Sequence, residues 1–319
     1  MADLAISCSR LSKTYRLGFR ARKVEALAAL DLAVEAGSIY GFIGPNGAGK
    51  STTIKILVGL VRPSTGTAAL FGRSIEDPRA RLSIGYLPEN PSFHDFMRPL
   101  EVMRYLGRLS GLSGADLDRR AEALIDRVGL GQARDLTVRK FSKGMVQRLG
   151  LAQALVHDPP LLILDEPMSG LDPIGRKEVR DLILELRGQG KTVYFSTHIL
   201  PDVESVCDRV GMVFKGRLMK EGALQGLLDG TVRAVEIRCA GLSPAQLEAL
   251  APATGAVTPL PEGHAFTSPS LEAANLAVAR LQAAGGRLLS LQPHRESLEE
   301  TFVRLAAATG SGSERALDG

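Results

Sequence analysis

The glycine-rich segment at residues 44–51 has the clearest chemistry in this chain of 319 residues. It fits the pattern GxxxxGK[ST], follows an apolar, strand-like stretch at residues 38–43, and precedes a helical pattern at residues 51–60. Glycines let the backbone approach phosphate closely, so the amide groups, the positive helix end and a lysine can all face that anion. The segment predicts a nucleoside triphosphate site rather than a plain glycine-rich turn, formed by Gly44, Pro45, Asn46, Gly47, Ala48, Gly49, Lys50, Ser51 and Thr52.

Two adjacent carboxylates end a second apolar run, LLILDEP, at residues 161–167. Ligands of α/β proteins bind at the carboxyl ends of strands, where Asp165 and Glu166 are expected. Asp165 is predicted to hold Mg²⁺ through water, with the Ser51 hydroxyl as a further oxygen ligand. Glu166, pointing the other way along the strand, is predicted to be the general base that polarises the attacking water. Solvated acids without a catalytic role also occur at strand ends, and that alternative stays open for the pair taken alone.

Further motifs lie between and after these two elements. FSKGM at residues 141–145 stands just before a helical pattern at 146–156, SGLD occupies residues 169–172, and His198 follows a strand-like run at 192–196. In this order and spacing, residues 4 to about 222 resemble the ATP-binding subunit of an ABC transporter. FSKGM takes the place of the family's LSGGQ signature, SGLD resembles its D-loop, and His198 resembles its switch histidine.

The resemblance implies how the nucleotide is bound. Two cassettes close head to tail around two ATP molecules, and each signature contacts the γ-phosphate held by the other copy. The D-loop crosses that interface, His198 senses the γ-phosphate, and Tyr15 resembles the aromatic residue that stacks on adenine. The residues that the resemblance adds from the signature and the D-loop are Ser142, Lys143, Gly144, Met145 and Asp172.

Two departures from the family pattern matter. Glu89, in YLPE, stands where the family usually has glutamine. Its carboxylate can meet Mg²⁺ or the lytic water, but it cannot donate a hydrogen bond as an amide does. Lys143 replaces a signature glycine; it either adds charge near the γ-phosphate of the partner copy or points to solvent, and solvent is the favoured reading.

Alternating strand and helix patterns predict an α/β cassette at residues 1–222, with a RecA-like core, a largely parallel sheet and a helical subdomain at about 90–158. Further helices are expected at 117–128 and 176–187. A linker at 223–230 leads to a small ferredoxin-like α/β domain at 231–309, and a disordered tail is expected at 310–319.

The pattern of the second domain is strand, helix, two strands, helix, strand and helix. The first strand is expected at 232–239, where apolar and polar residues alternate, and the first helix at 244–250. Two strands are expected around 259–263, a second helix at 270–284, a strand at 287–291 and a last helix from 296. A small C-terminal α/β extension is similar to that of exporter ATPases whose permease is a separate chain, and residues 296–302 resemble its final helix.

Composition narrows the class of protein. With 45% hydrophobic and 23% charged residues, a disordered or collagen-like chain is excluded. A net charge of +4 is too small to indicate nucleic acid, and none is expected as a partner. Three scattered cysteines indicate neither a disulfide framework nor a structural metal. Without a leader or a long apolar run, the chain is expected to be cytoplasmic and peripheral on the inner face of the membrane.

Residues 90–105 contain more apolar bulk than a loop needs, namely Phe93, Phe96, Met97 and Tyr105. We expect this segment to receive the cytoplasmic helices of a multi-spanning permease, through which substrate moves; packing within the helical subdomain is the alternative. A basic run follows Tyr15 and comprises Arg16, Arg20, Arg22 and Lys23. It either lies near anionic lipid or is a solvated loop.

Two other functions compete with transport. A soluble ABC ATPase without a permease, acting as a scaffold or nucleic-acid factor, usually has two fused cassettes or long inserted helices, which this sequence lacks. Another P-loop enzyme, such as a kinase or GTPase, would leave the signature segment unexplained, and no NKxD-like guanine motif is present. The predicted function is therefore transport-coupled hydrolysis of ATP with Mg²⁺.

Overall fold

A computed structural model describes residues 3–17, 22–228, 234–243, 246–247, 257–294 and 297–310. The chain divides into two compact units, Met1–Leu224 and Gln225–Gly319. Parts of several expected segments lie outside the described residues: Arg20 of the basic run, most of the helix at 244–250, the start of the last helix at residue 296, and the tail from residue 311.

The strands of the first unit are β1 (Leu4–Leu17), β2 (Arg22–Glu35), β3 (Ile39–Ile43), β4 (Thr65–Leu70), β5 (Arg73–Ser74), β6 (Ile84–Leu87), β7 (Leu161–Asp165), β8 (Thr192–Thr197), β9 (Arg209–Phe214) and β10 (Arg217–Ala223). Among the described residues, six of them form a central sheet in the order β10-β9-β3-β8-β7-β6. All neighbours in it are parallel except the edge pair β10 and β9. The expected largely parallel sheet is present.

A second, antiparallel sheet in the order β2-β1-β4-β5 was not expected from the sequence. Its long strands β1 and β2 are interrupted by register shifts near Arg10 and Ala29, which both have positive φ angles of 46° and 51°. Each bulge moves the following side chains to the other face, so the alternation of apolar and polar residues is lost. The pattern therefore did not identify these strands.

The helices of the first unit are α1 (Lys50–Leu57), α2 (Pro99–Leu109), α3 (Gly114–Arg127), α4 (Lys143–Leu155), α5 (Pro173–Gly188) and α6 (Leu200–Val206). Helix α7 (Leu224–Leu228) begins at the last residue of this unit and continues into the second. Helix α1 ends earlier than expected, and Gly59 behind it has a φ of 76°. Helix α7 lies in the segment assigned to a linker. Within the described part of the chain, no helix combines the length and apolar character needed to cross a bilayer.

The second unit contains β11 (Ala234–Ala240), β12 (Thr258–Leu260), β13 (Gly263–Ser268) and β14 (Arg287–His294), with α8 (Leu271–Ala283) and α9 (Leu298–Gly310). In its described residues the strands pair antiparallel in the order β12-β13-β11-β14. Its core joins Ile237 of β11 and Phe266 of β13 to Leu281 of α8. The ferredoxin-like assignment stays a prediction, because most of the residues of its first helix are not described.

Burial of the central strands determines where polar chemistry can occur in the first unit. Every residue of β3, β7 and β8 is buried, since the antiparallel sheet and helices cover the faces of the central sheet. Parallel neighbours β3, β8, β7 and β6 place their carboxyl ends at one edge. The phosphate loop, the carboxylate pair, His198 and Glu89 follow those four ends.

Gly85 tests the packing of α4 against β6. A Cβ atom added at Gly85 would overlap the carbonyl oxygen of Ala154 and lie 2.8 Å from Cγ of Pro159. Backbone cannot move aside as a side-chain tip does, so Gly85→Ala should lower the free energy of unfolding by about 1–3 kcal/mol. Urea unfolding followed by circular dichroism measures this loss.

Gly188 supplies the matched control, because a Cβ atom added at this end of α5 meets no atom within 4 Å. Gly188→Ala should leave stability unchanged or raise it slightly. Equal losses in the two variants would contradict the packing argument.

Candidate active site at the carboxyl edge of the central sheet

The phosphate loop is shaped by two glycine positions. Gly44 directly follows β3, and a Cβ atom there would overlap the carbonyl oxygen of Val213 on the neighbouring strand. Gly49 has a φ of 111° and forms the N-cap of α1, a conformation that side chains disfavour. Both glycines are therefore required by geometry, and together they turn the chain from β3 into α1 within a few residues.

Lys50 is 5% exposed and has three oxygen neighbours. Its ammonium donates to the carbonyl oxygens of Gly44, at 2.6 Å, and Pro45, at 3.3 Å. A carboxylate oxygen of Glu166 lies 3.5 Å from the same nitrogen. A buried cation needs such partners, and here they fix its charge inside the loop, where the amide groups and the end of α1 also favour an anion.

Asp165 ends β7 and is buried beside two hydroxyl groups. Ser196 Oγ donates to its Oδ1 at 2.5 Å, and Ser51 Oγ lies 3.4 Å from the same atom. The predicted neighbourhood of Ser51 and Asp165 is therefore present. Ser196 was missed as a site residue, and its position two residues before His198 on a buried strand was the signal available in the sequence.

Glu166 does not continue β7, contrary to the expectation from strand alternation. Its φ is 49°, and its amide donates to the carbonyl oxygen of Ser196 at 3.1 Å. This left-handed residue redirects the chain, and the carboxylate lies between Lys50 and His198, whose Nδ1 is 3.0 Å from both oxygens. Such a conformation costs of order 1–3 kcal/mol, so the surrounding contacts must hold it.

A cavity of about 340 Å³ joins these groups. Its walls are Ala26, Pro45, Asn46, Gly47, Gly49, Lys50, Ser51, Thr52, Glu89, Glu166, Ser169 and His198. Ala26 and Ser169 were not predicted as site residues. Of the residues that the structure describes, Tyr15, Gly44, Ala48 and Asp165 were predicted for the site but do not line the cavity. Tyr15 is half-buried, and the Lys13 ammonium lies 5.2 Å from the centre of its ring.

The arrangement suits hydrolysis of a nucleoside triphosphate. Backbone amides, the start of α1 and the Lys50 charge favour phosphate at one side of the cavity. The Glu166 carboxylate faces the same space and can accept a proton from water. Glu89, which is exposed, adds a second carboxylate to the wall.

Comparison with known proteins decides the family. The sequence profile of the family described as ABC transporter matches residues 27–169. An uncharacterized ABC transporter ATP-binding protein of Synechocystis sp. is 42% identical over 298 residues, which is 92% of this chain and 82% of that protein. The chain belongs to the ABC transporter ATP-binding proteins. It is accordingly an ATPase, the ATP-hydrolysing subunit of a transporter.

Other relatives have more specific names. The daunorubicin/doxorubicin resistance ATP-binding protein of Streptomyces peucetius is 37% identical over 94% of this chain and 92% of its own length. The Nod factor export ATP-binding protein I of Cupriavidus pinatubonensis is 35% identical over 86% and 84%. A solved dimeric ATP-binding cassette with ADP and phosphate matches 69% of this chain and 98% of its own, with a TM-score of 0.64 and 24% identity. The predicted cassette fold is confirmed.

The segment predicted to be the signature begins α4. Ser142 is the N-cap, and its Oγ accepts from the Met145 amide at 3.3 Å. Further along α4, the buried Gln147 amide donates to the carbonyl oxygens of Glu166, at 3.5 Å, and Pro167, at 3.2 Å. Gln147 was missed by the sequence analysis, although it lies two residues after the signature. It links the signature helix directly to the backbone of Glu166.

Asp172 also has a local structural role. It is the N-cap of α5, and its carboxylate accepts from the Gly175 amide at 2.9 Å. Neither Asp172 nor the four predicted signature residues belong to the walls of the cavity, as far as the described residues go. Their contact with nucleotide stays a prediction.

Asp202 of α6 is a buried acid that interacts electrostatically with Glu166 and His198. It is 5% exposed, and within the described part of the chain its Oδ2 has no hydrogen-bond partner. Burial raises the pKa of this carboxyl and outweighs Arg176 and Arg180 on α5, which lower it; Glu166 raises the pKa further, and His198 lowers it. The ionised form therefore costs folding free energy.

Asp202→Asn tests this cost. The cost is absent below the pKa of an unfolded aspartate, about 4, and appears as the pH rises through the higher pKa of the folded state. The difference in thermal midpoint between Asp202→Asn and wild type should therefore favour the variant more at neutral pH than in mild acid. Asp181→Asn on the exposed surface of α5 is the control for the loss of an aspartate side chain. A pH-independent difference for Asp202→Asn would contradict the assignment.

Proposed function

We propose that two copies of this chain close head to tail around two molecules of ATP with Mg²⁺ and drive a separate permease that exports its substrate. The main support is that one chain holds only part of a site. The phosphate loop, Glu166 and His198 share a cavity whose walls, among the described residues, do not include Ser142 or Gly144. Ser142 Oγ and the start of α4 are suited to an anion, and a second copy can supply that anion.

The oxygen atoms near the phosphate loop fit Mg²⁺. Ser51 and Asp165 bring a hydroxyl and a carboxylate to within 3.4 Å of each other, and Glu89 adds a carboxylate at the cavity wall. Hard oxygen ligands of this kind are those that Mg²⁺ prefers. When bound, the ion neutralises charge on the phosphate oxygens. Ser196 keeps one oxygen of Asp165 hydrogen-bonded and so orients the carboxylate.

The hydrolytic roles follow from charge and position. Lys50 and the loop amides stabilise the charge that develops on the γ-phosphate when water attacks in line. Glu166 orients that water and accepts its proton. His198 holds the Glu166 carboxylate through Nδ1, which keeps the base at the cavity rather than on Lys50 alone. Tyr15, which does not line the cavity, stacks on adenine.

Coupling to the permease is assigned to the helical subdomain. A groove of about 330 Å³ there is lined by Ser92, Phe93, His94, Met97, Val102, Tyr105, Leu106 and Gln153. Phe96 beside it is 76% exposed. Exposed apolar side chains around a groove are typical of protein interfaces, so the cytoplasmic helices of the permease would bind here, at the inner face of the membrane. The names of the Nod factor export and drug resistance relatives support export.

Glu166→Gln tests the base and the dimer together. The amide keeps the shape of the side chain but accepts no proton, so multiple-turnover hydrolysis should fall by about 10²–10⁴-fold while ATP binding remains. With ATP and Mg²⁺ the variant should sediment as a dimer. Glu204→Gln on the exposed side of α6 is the control and should hydrolyse ATP normally. Sustained turnover by Glu166→Gln would refute its role, and a monomer under saturating ATP would refute the head-to-tail arrangement.

Phe96→Ala tests the docking groove. Since Phe96 is exposed and lies outside the nucleotide cavity, basal ATPase activity should not change, whereas affinity for the permease should fall by about tenfold. The measurement is the fraction of the chain recovered with a multi-spanning protein from native membranes. Leu82→Ala, 73% exposed elsewhere on the cassette, is the control. Equal recovery of both variants would place the permease elsewhere, and recovery of wild type without any spanning protein would favour the soluble alternative.

A further inference from the structure

Lys143, the signature residue that departs from the family glycine, lies against the D-loop of its own chain. A Cβ atom added at Gly170 would be 2.9 Å from both Cδ and Cε of Lys143 and 3.1 Å from Nζ. The methylene chain of Lys143 therefore covers the α-carbon of Gly170. Gly170 has a φ of 72°, so this position disfavours a side chain for both space and conformation.

A second contact joins the same two segments. A Cβ atom added at Gly144 would lie 3.3 Å from Cδ2 of Leu171. Consecutive signature residues thus face consecutive D-loop residues. The ends of the D-loop are held separately, since the Ser169 amide donates to the carbonyl oxygen of Glu166 at 3.0 Å, and Asp172 caps α5. The signature holds the middle of the loop.

Within one chain, the positive charge of Lys143 does not explain why a lysine is found at this residue. Lys143 is the first residue of α4, where the helix dipole is positive and a cation is unfavourable. Lysine can, however, lay its methylene stem along a surface while its ammonium stays in water. A glycine at this position, as in the family pattern, has no atoms that reach Gly170.

We infer that Lys143 is a positioning residue: its methylene stem fastens the D-loop to the signature, so that both surfaces meet a second copy as one rigid unit. This inference rests on the proposed head-to-tail dimer for its consequence, but the contact itself lies within one chain. It differs from both expectations from the sequence, because the stem rather than the charge has the role. Loss of the stem raises the ordering cost of closing the dimer.

Three variants separate stem from charge in the Glu166→Gln background. Lys143→Met keeps a long apolar side chain without charge, Lys143→Gly removes the side chain, and Lys177→Met removes an exposed charge on α5. Sedimentation against ATP concentration gives the half-saturating value for dimer formation. We expect Lys143→Gly to raise it about tenfold, and both methionine variants to stay within about twofold of the parent.

The outcomes are distinct. Equal impairment by Lys143→Met and Lys143→Gly would overturn the inference in favour of the ammonium charge. No effect of either would show that the side chain has only solvent as its neighbour, which also overturns it. If the Glu166→Gln parent itself does not dimerise, the proposed function fails, and the inference is then judged on the monomer.

Amide hydrogen exchange, measured on the monomer, tests the contact between Lys143 and the D-loop without the dimer. The amides of Ser169 and Leu171 donate within the loop, to the carbonyl oxygens of Glu166 and Met168. Lys143→Gly should speed their exchange by about fivefold or more, and Lys143→Met should not. Unchanged exchange of these amides in Lys143→Gly would contradict the inference, whether or not the dimer forms.

Discussion

The Glu166 carboxylate lies between the Lys50 ammonium and the His198 ring, and the rest of the site depends on this placement. The three side chains follow three different strands of the central sheet, so they meet only if β3, β7 and β8 are parallel and in register. Glu166 also requires a left-handed backbone, which Ser196 and Gln147 hold by hydrogen bonds. Sheet topology, one strained residue and two buried polar side chains therefore act together to place one carboxylate.

Local patterns were sufficient for the parts of the site that are contiguous in sequence. The phosphate loop, the two carboxylates and His198 follow apolar strands, and strand ends are recognisable because burial makes these strands uniformly apolar. The roles of Ser196 and Gln147 could not be predicted, because each depends on a partner 19 to 31 residues away in the chain. The antiparallel sheet was missed because bulges at Arg10 and Ala29 break the alternation that identifies strands.

In the proposed dimer, Ser142 and Asp172 have a role beyond capping their own helices. Ser142 caps α4 and Asp172 caps α5, so both would be explained by helix stability alone. Their helices nevertheless begin at the signature and the D-loop, and these two segments contact each other through Lys143 and Gly170. A capping residue is held rigidly by its helix, and rigidity is what a surface needs if it is to complete the site of another molecule.

Gln147 joins helix α4 to the turn that carries Glu166. Its side-chain amide donates to the carbonyl oxygens of two consecutive residues, Glu166 and Pro167. Tilting α4 away would remove this donor from the buried Pro167 carbonyl, at about 1–3 kcal/mol, whereas the Glu166 carbonyl would keep its bond from the Ser169 amide. The position of α4 and the turn at Glu166 are thus coupled, and a displacement of the helix would also disturb the backbone that orients the Glu166 carboxylate.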